Sequence, residues 1–336
     1  MEHKIEFVNL ADDTLHHCSS IVAIPQFGRI VAAYLGPECE DQQHVFITSL
    51  DTPCLNIHLQ AKTGNPLLWY DESHNCIYLI YSLYEDEDAL GNKPRNPVQR
   101  WMYCSTWMAR LDLNKFQLVD VHRVDDAFGL LARCAPYRVN GRNLIPLYRE
   151  KDPRCEIWEV KNGTLARVSV FGDITETEHN FAPSNLGNGI AIQPTLIKQV
   201  DTLYAFCRNV CRDAEKAWVF SSIDDGATWS EPKISSFPNH NNSLTAIPWE
   251  NVYLMMLSND KYRSEMFLSG LDNSLRLGVP LADRRSTFSY PNYCVDSSMS
   301  LHMVHSNAGV IAVHKMDSEF VDFTMINKTR KRPSKK

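Results

Sequence analysis

Within the stretch SSIDDGATWSEP (221–232), Ser222, Asp224, Gly226 and Trp229 follow the spacing S-x-D-x-G-x-x-W. An acid, a hydroxyl and an aromatic ring so close together are parts of a hydrolytic or sugar-stacking site. They are also the parts of a turn. Read with its flank, KAWVFSSIDDGATWSEP is strand, tight turn, strand. Gly226 supplies a backbone conformation that other residues reach only with strain. Ser222 and Asp224 can bond turn amides that the strand ladder leaves unpaired. Trp229 can cover the hairpin while its indole N–H still finds a partner. The cluster is therefore read as a structural staple.

Other chemistries are scarce. The chain contains no P-loop, no G-x-G-x-x-G after a strand, no H-E-x-x-H and no G-x-S-x-G, which argues against nucleotide, zinc-protease and α/β-hydrolase readings. Ten cysteines are scattered without a C-x-x-C, and reduced thiols packing as small hydrophobes are expected, with no metal and no cofactor. The 34 Lys+Arg against 40 Asp+Glu leave a net charge of −6. That balance gives no electrostatic case for nucleic acid as a partner. No apolar run approaches the roughly 20 residues that span a bilayer, and the start MEHKIEFVNLADD lacks the apolar stretch of a signal peptide. No membrane partner is expected. The default compartment is cytosolic, with signal-independent export as the alternative.

The elements that must position any site read as strands. A polar turn followed by an apolar run of aromatic and β-branched residues occurs at 27–36, 73–84, 139–150, 199–209, 249–259 and 296–307. Each is preceded by another short strand candidate, such as HCSSIVAIP, GNPLLWY, RCAPYRV, IQPTLIK and FSYPNYCV. The hairpins recur at intervals of roughly 50 to 65 residues, room for four strands each, which matches a propeller blade. The expectation is an all-β, six-bladed β-propeller forming one domain over 1–320. A β-sandwich or a two-domain all-β protein is the alternative. Residues 321–336 are expected to form a basic, disordered tail.

The stretch 221–232 resembles the Asp-box of the sialidase (neuraminidase) superfamily, with SLDTPCL (49–55) and SGLDNSL (269–275) as worn copies. The likeness extends from about residue 15 to 317 and is to the bacterial and phage branch with BNR repeats. Its segments include HCSSIVAIPQFGRIVAAYLGPE, RCAPYRVNGRNLIPLYRE, FPNHNNSLTAI and FSYPNYCVDSSMSLHMVHS. In that family the Asp-box lies on the blade rim, away from the channel.

The resemblance implies a particular chemistry. Sialidases hold the substrate carboxylate with three arginines, attack with a tyrosine activated by a glutamate, and use an aspartate as acid and base. Carried over residue by residue, this points to Arg208 and Arg263 as carboxylate binders and to Tyr290 as the group at the anomeric centre. Glu40 or Asp41 would deliver the proton, unless they are solvated loop carboxylates. Gln193 stands where the activating glutamate would be, and an amide cannot accept the proton. Histidines replace the first arginine, so His17 is a candidate there, and Arg29 is expected to face solvent. Asn65, Arg138, Tyr148, Asn239 and Asn241 complete the polar set near the loops that converge at one end of the channel. Trp101 and Trp107 are read as core residues with sugar stacking as the alternative.

The expected function is that of a sialidase-like, exo-sialidase-type glycosidase acting on an anionic sugar. A glycan-binding or scaffold propeller that has lost catalysis is one alternative, and an acidic-polysaccharide lyase another. The expected partner is an acidic carbohydrate or glycoconjugate.

Overall fold

A computed structural model describes residues 2–8, 15–36, 43–52, 56–72, 74–86, 101–115, 117–150, 152–161, 163–172, 190–210, 215–250, 252–258, 263–270, 274–277, 288–307 and 309–325. The chain opens with β1 (His3–Val8), which pairs only at the end of the ring. Blade 1 is β2 (Leu15–Ile24), β3 (Gly28–Gly36), β4 (His44–Ser49) and β5 (Asn56–His58). Blade 2 is β6 (Thr63–Asp71), β7 (Cys76–Tyr84), β8 (Cys104–Asp112) and β9 (Gln117–Arg123). In blade 3 the first strand is split into β10 (Leu130–Ala132) and β11 (Tyr137–Val139). Both pair with β12 (Arg142–Arg149), followed by β13 (Arg154–Lys161) and β14 (Thr164–Phe171). Blade 4 is β15 (Ala191–Gln199), β16 (Thr202–Asn209), β17 (Lys216–Ser222) and β18 (Lys233–Pro238). Blade 5 is β19 (Leu244–Trp249), β20 (Val252–Ser258), β21 (Met266–Ser269) and β22 (Ser274–Arg276). Blade 6 is β23 (Phe288–Val295), β24 (Leu301–Asn307) and β25 (Val310–Met316), with β1 as its fourth strand.

The six-bladed propeller expected from the hairpin repeat is therefore the fold. Each of the six turn-and-run stretches is the second strand of a blade, β3, β7, β12, β16, β20 and β24. First strands of neighbouring blades pack on one another, β2 on β6 and β23, β15 on β19, β19 on β23. They surround the channel.

The core lies in six seams between blades, because each sheet buries both faces. Along β3, Ile30 and Ala32 face blade 2 while Val31 and Ala33 face blade 6. Period-2 alternation here separates two buried faces, not core from solvent. This is why the strands read as unbroken apolar runs. All cysteines of the described residues are free thiols, and Cys18, Cys104, Cys134, Cys155 and Cys207 are buried.

Ring closure depends on β1, whose register runs from His3 opposite Met316 to Val8 opposite Ile311. Helix α1 (Ser318–Thr324) follows, capped by Asp317, which accepts from Phe320 N at 2.6 Å and also from Glu2 N at 2.6 Å. One carboxylate thus ties the helix to the closing strand. Val321 and Met325 are buried in the seam between blades 5 and 6. A tail beginning at 321 is thus corrected: the ordered fold reaches Met325, because two apolar side chains at helical spacing fill that seam. The basic residues 327–336 lie outside the described residues.

The stretch 221–232 joins β17 to β18, the third and fourth strands of blade 4. Ser222 Oγ accepts from Gly226 N at 2.8 Å and donates to Asp224 Oδ1 at 2.7 Å. Asp224 Oδ1 accepts from Thr228 N at 2.9 Å. Trp229 stacks on Phe171 at 4.4 Å and donates from Nε1 to Ser169 Oγ at 3.1 Å. Both partners belong to β14, so the staple clamps blade 4 to the outer strand of blade 3. The stretches at 49–55 and 269–275 fall at the same place, between third and fourth strands. In the first of them Asp51 has taken Arg29 as its partner, with Arg29 N at 2.7 Å and the guanidinium in a two-pronged contact. Arg29 is therefore paired and mostly covered instead of facing solvent.

Candidate functional site at the channel mouth

Four of the first strands break register at the same point. The breaks lie between His17 and Ser20 in β2, Gly64 and Leu67 in β6, Ile192 and Thr195 in β15, and Ser289 and Asn292 in β23. At each break one residue has left-handed backbone: Cys18 (φ 55), Asn65 (φ 47), Gln193 (φ 53) and Tyr290 (φ 56). None is β-branched, the type that this conformation penalises most. A proline follows three of them, Pro66, Pro194 and Pro291. Proline has no N–H to donate, and the channel-side edge of a first strand asks for none. Such bulges re-aim a side chain out of the alternation of the strand. Asn241 (φ 58) and Arg263 (φ 55) share the conformation from loops beside the same mouth.

These side chains meet. Arg208, on β16 opposite Ile192, donates from Nε to Asn241 Oδ1 at 2.9 Å and from Nη1 to Gln193 Oε1 at 3.3 Å. Gln193 Nε2 donates to the Tyr148 hydroxyl at 3.2 Å. Arg263 donates from Nη2 to the Asn241 carbonyl at 3.1 Å and bonds the Tyr290 side chain. The His17 ring meets Tyr290 edge-on, 4.5 Å between centroids. Cys18 donates to Asn65 Oδ1 at 3.1 Å and accepts from Arg133 Nη1 at 3.0 Å. Arg133, directly after β10, is 1% exposed, and its guanidinium carbon lies 5.2 Å from the Tyr290 ring centroid.

The electrostatics follow from burial and this crowd of cations. Burial, then Arg263 and Arg133, hold His17 down at about 3, so its imidazole is neutral. Burial and the neighbouring Arg208 draw Arg263 below the usual arginine value, with Tyr290 opposing. Burial, and behind it the Glu150 carboxylate, push the Tyr148 phenol well up, against the bond from Gln193. Burial raises the Cys18 thiol, although Arg133 works the other way. Among the described residues, the hydrogen-bond partners of Arg133, Arg208 and Arg263 are amides, carbonyls, a thiol and a phenol, with no carboxylate among them. Guanidiniums without a carboxylate partner among the described residues have the chemistry to accept an anion.

The structure thus brings together His17, Asn65, Tyr148, Gln193, Arg208, Asn241, Arg263 and Tyr290. It does not bring Arg138 to them. That residue is exposed on β11 and lines a cavity of about 550 Å³ with Pro25, Glu72, Asn143 and Ser297, at the opposite end of the channel. Arg138 is corrected for this reason: blade 3 meets the mouth at Arg133, and β11 runs away from it. Asn239 is buried in loop support, accepting from Asn209 N and donating to Asn242 O. Trp101 packs edge-on against Tyr84 at 4.6 Å, and Trp107 Nε1 bonds Ser105 Oγ at 2.9 Å. Glu40 and Asp41 lie outside the described residues. Arg133 and Cys18 escaped the sequence reading. For Arg133 the signal was positional only, since RCAPYRV fills the slot where the first strands of four other blades carry a bulge.

Comparison with known proteins agrees with this architecture. The BNR repeat-like domain matches residues 40–303. No curated protein matches the chain by sequence. A protein of unknown function from Dyadobacter fermentans DSM 18053 superposes with a TM-score of 0.66 at 10% identity, covering 93% of this chain and 98% of that one. The Hadza microbial sialidase Hz136 superposes at 0.63 with 13% identity, covering 91% of this chain and 66% of that one. The α-L-arabinanase of Penicillium chrysogenum, complexed with arabinobiose, gives 0.56 at 10% identity, covering 91% and 93%. At such identities the structural likenesses speak for the fold, and the family match covers most of the chain: the protein belongs to the BNR repeat-like domain family.

Proposed function

We propose that the channel mouth recognises an anionic sugar by its carboxylate, and that the protein is a sialidase-like, glycan-active propeller. One observation carries this reading. Arg208 and Arg263 converge on a single residue, Asn241, and neither has a carboxylate partner among the described residues. A neutral sugar would leave that charge unanswered, whereas a carboxylate takes paired N–H bonds from guanidinium groups. In turnover as a glycosidase, the Tyr290 hydroxyl acts at the anomeric centre, and Glu40 or Asp41 supplies the proton.

A second reading, binding without turnover, is favoured by Gln193. Its amide is engaged at both ends, by Arg208 and Tyr148, and it cannot serve as a base. A panel of aryl glycosides of sialic acid, glucuronic acid and arabinose, run on wild type and Arg208→Ala, separates these readings. Release of the aryl group from acidic glycosides only, lost in the variant, supports the hydrolase. Acidic-glycoside binding lost in the variant, without release in either protein, supports the binder. An unsaturated sugar product marks elimination instead. Absence of both binding and release for every acidic glycoside overturns the anionic-sugar reading.

A further inference from the structure

We propose that Arg133 is the positioning residue of this pocket, the pin that fixes the backbone turn of Tyr290 and so keeps its ring between His17 and Arg263. The argument starts from the bulge. Register breaks between Ser289 and Asn292, so the carbonyls of Tyr290 and Pro291 leave the ladder of β23 and β24. Buried carbonyls must find other donors. Arg133 Nη2 donates to Tyr290 O at 2.6 Å, to Pro291 O at 3.2 Å and to Ser19 O at 3.0 Å. Its Nη1 donates to Cys18 Sγ at 3.0 Å. Asn292 Nδ2 returns a bond to Arg133 O at 3.1 Å, and Thr245 Oγ1 adds one to Pro291 O at 3.1 Å.

The reach of these bonds matters. Arg133 comes from blade 3, whereas Cys18 and Ser19 belong to blade 1 and Tyr290 and Pro291 to blade 6, across the channel. A planar guanidinium with five N–H groups can serve both bulges at once. An ammonium on a flexible stem is a point donor without that fork. If the pin is lost, the bulge can relax toward regular pairing. A one-residue slip in a strand turns each side chain to the other face, which would take the Tyr290 ring out of the pocket. The guanidinium over the ring adds a cation–π contact that favours the same position.

The test needs no ligand at first. In protein labelled with ¹³C-histidine, the carbon-bound protons of His17 report the Tyr290 ring through its ring current, and Tyr290→Leu sets the zero. Arg133→Met is expected to move the His17 signal most of the way to that zero, while the signals of His58 and His122, on the fourth strands of blades 1 and 2, stay in place. Arg133→Lys, the variant to use should Arg133→Met not fold, is expected to lose the shift as well. An unchanged His17 signal in a folded Arg133 variant overturns the proposal. So does recovery of the full shift by lysine, which would make charge alone sufficient. A second arm rests on the anionic-sugar reading: affinity for the methyl glycoside of a sialic acid should fall at least tenfold in Arg133→Met. If wild type binds no acidic glycoside, that reading falls, and the ring-current arm still decides the role of Arg133.

Discussion

Arg208 Nη1 donates to Gln193 Oε1 across 3.3 Å, so the residue standing where the sialidase resemblance implies a base instead holds the cation that we propose meets the ligand carboxylate. The amide is oriented by its other end, where Nε2 donates to Tyr148. A neutral amide leaves the charge of Arg208 available. A carboxylate at 193 would consume it.

Gln193→Glu is therefore expected to weaken binding of an acidic glycoside. The new carboxylate competes with the ligand for Arg208, and a charge-assisted hydrogen bond contributes about 1.5–3 kcal/mol. The expected loss is roughly 10- to 100-fold in Kd, with little change for a neutral arabinoside. Titration calorimetry with both probes checks it. Tighter acidic-glycoside binding in the variant would mean that Arg208 does not meet the ligand.

The histidines of blade 6 predict a pH dependence of stability. His305 Nε2 and His314 Nε2 lie 3.0 Å apart, and His314 Nδ1 lies 3.1 Å from His3 Nε2. The Ser306 carbonyl faces His305 Nδ1 at 3.1 Å, so that nitrogen carries the proton. Each further link then holds one proton, donated from His3 to His314 and from His314 to His305. Every ring in the chain is neutral. Burial holds His305 down at about 4, lowers His314 well below its usual value with help from His305 and His3, and lowers His3. Their folded values lie below the unfolded one, so below about pH 6.5 the unfolded chain binds more protons. Stability is present above that pH and is lost as pH falls toward 4. Each imidazole that must stay neutral contributes a slope of about 1.4 kcal/mol per pH unit. Thermal melts between pH 7.5 and 5 should show Tm falling, and His305→Gln should flatten the fall. Equal slopes in the two proteins would assign the effect to other groups. The rings join β24, β25 and the closing strand β1, so fraying of the N-terminus is the expected first event.

The turn at 221–232 should matter for stability and not for the pocket. Ser222→Ala leaves Gly226 N without the hydroxyl it bonds at 2.8 Å, a loss of about 1–3 kcal/mol for a buried donor. Trp229→Ala removes the stack on Phe171 and the bond to Ser169 and should cost on the order of 2–4 kcal/mol. Denaturant titration reads both. Acidic-glycoside affinity at 25 °C should be unchanged, and a loss there would place the staple nearer the chemistry than its rim position indicates.

Much of the architecture was legible because it is repetitive. GRIVAAYLG and CIYLIYSLY carry β-branched and aromatic residues after polar turns, and such runs can do little except form strands buried on both faces. Three pocket residues also left a local mark. Asn65-Pro66, Gln193-Pro194 and Tyr290-Pro291 put proline inside a strand, which a paired central strand would not accept. Arg138 and Arg133 show the limit. Both sit in the same strand candidate, RCAPYRV, and local sequence does not say which of them reaches the mouth and which points out at the far end.

The sequence by itself determined the six hairpins, the turn staple and the family, since propensity, turn chemistry and spacing act over a few residues at a time. Only the tertiary structure decided that HKIEFV closes the ring as the last strand of blade 6, because its partner VIAVHKM lies some three hundred residues away. Only the closed ring set Arg208 and Arg263 on Asn241 and drew Arg133 across the channel to Tyr290. Asn241, in the link between blades 4 and 5, takes one arginine from each, and Arg133 joins blade 3 to blade 6; the distance between blades is fixed by closure of the whole ring and not by any segment within it.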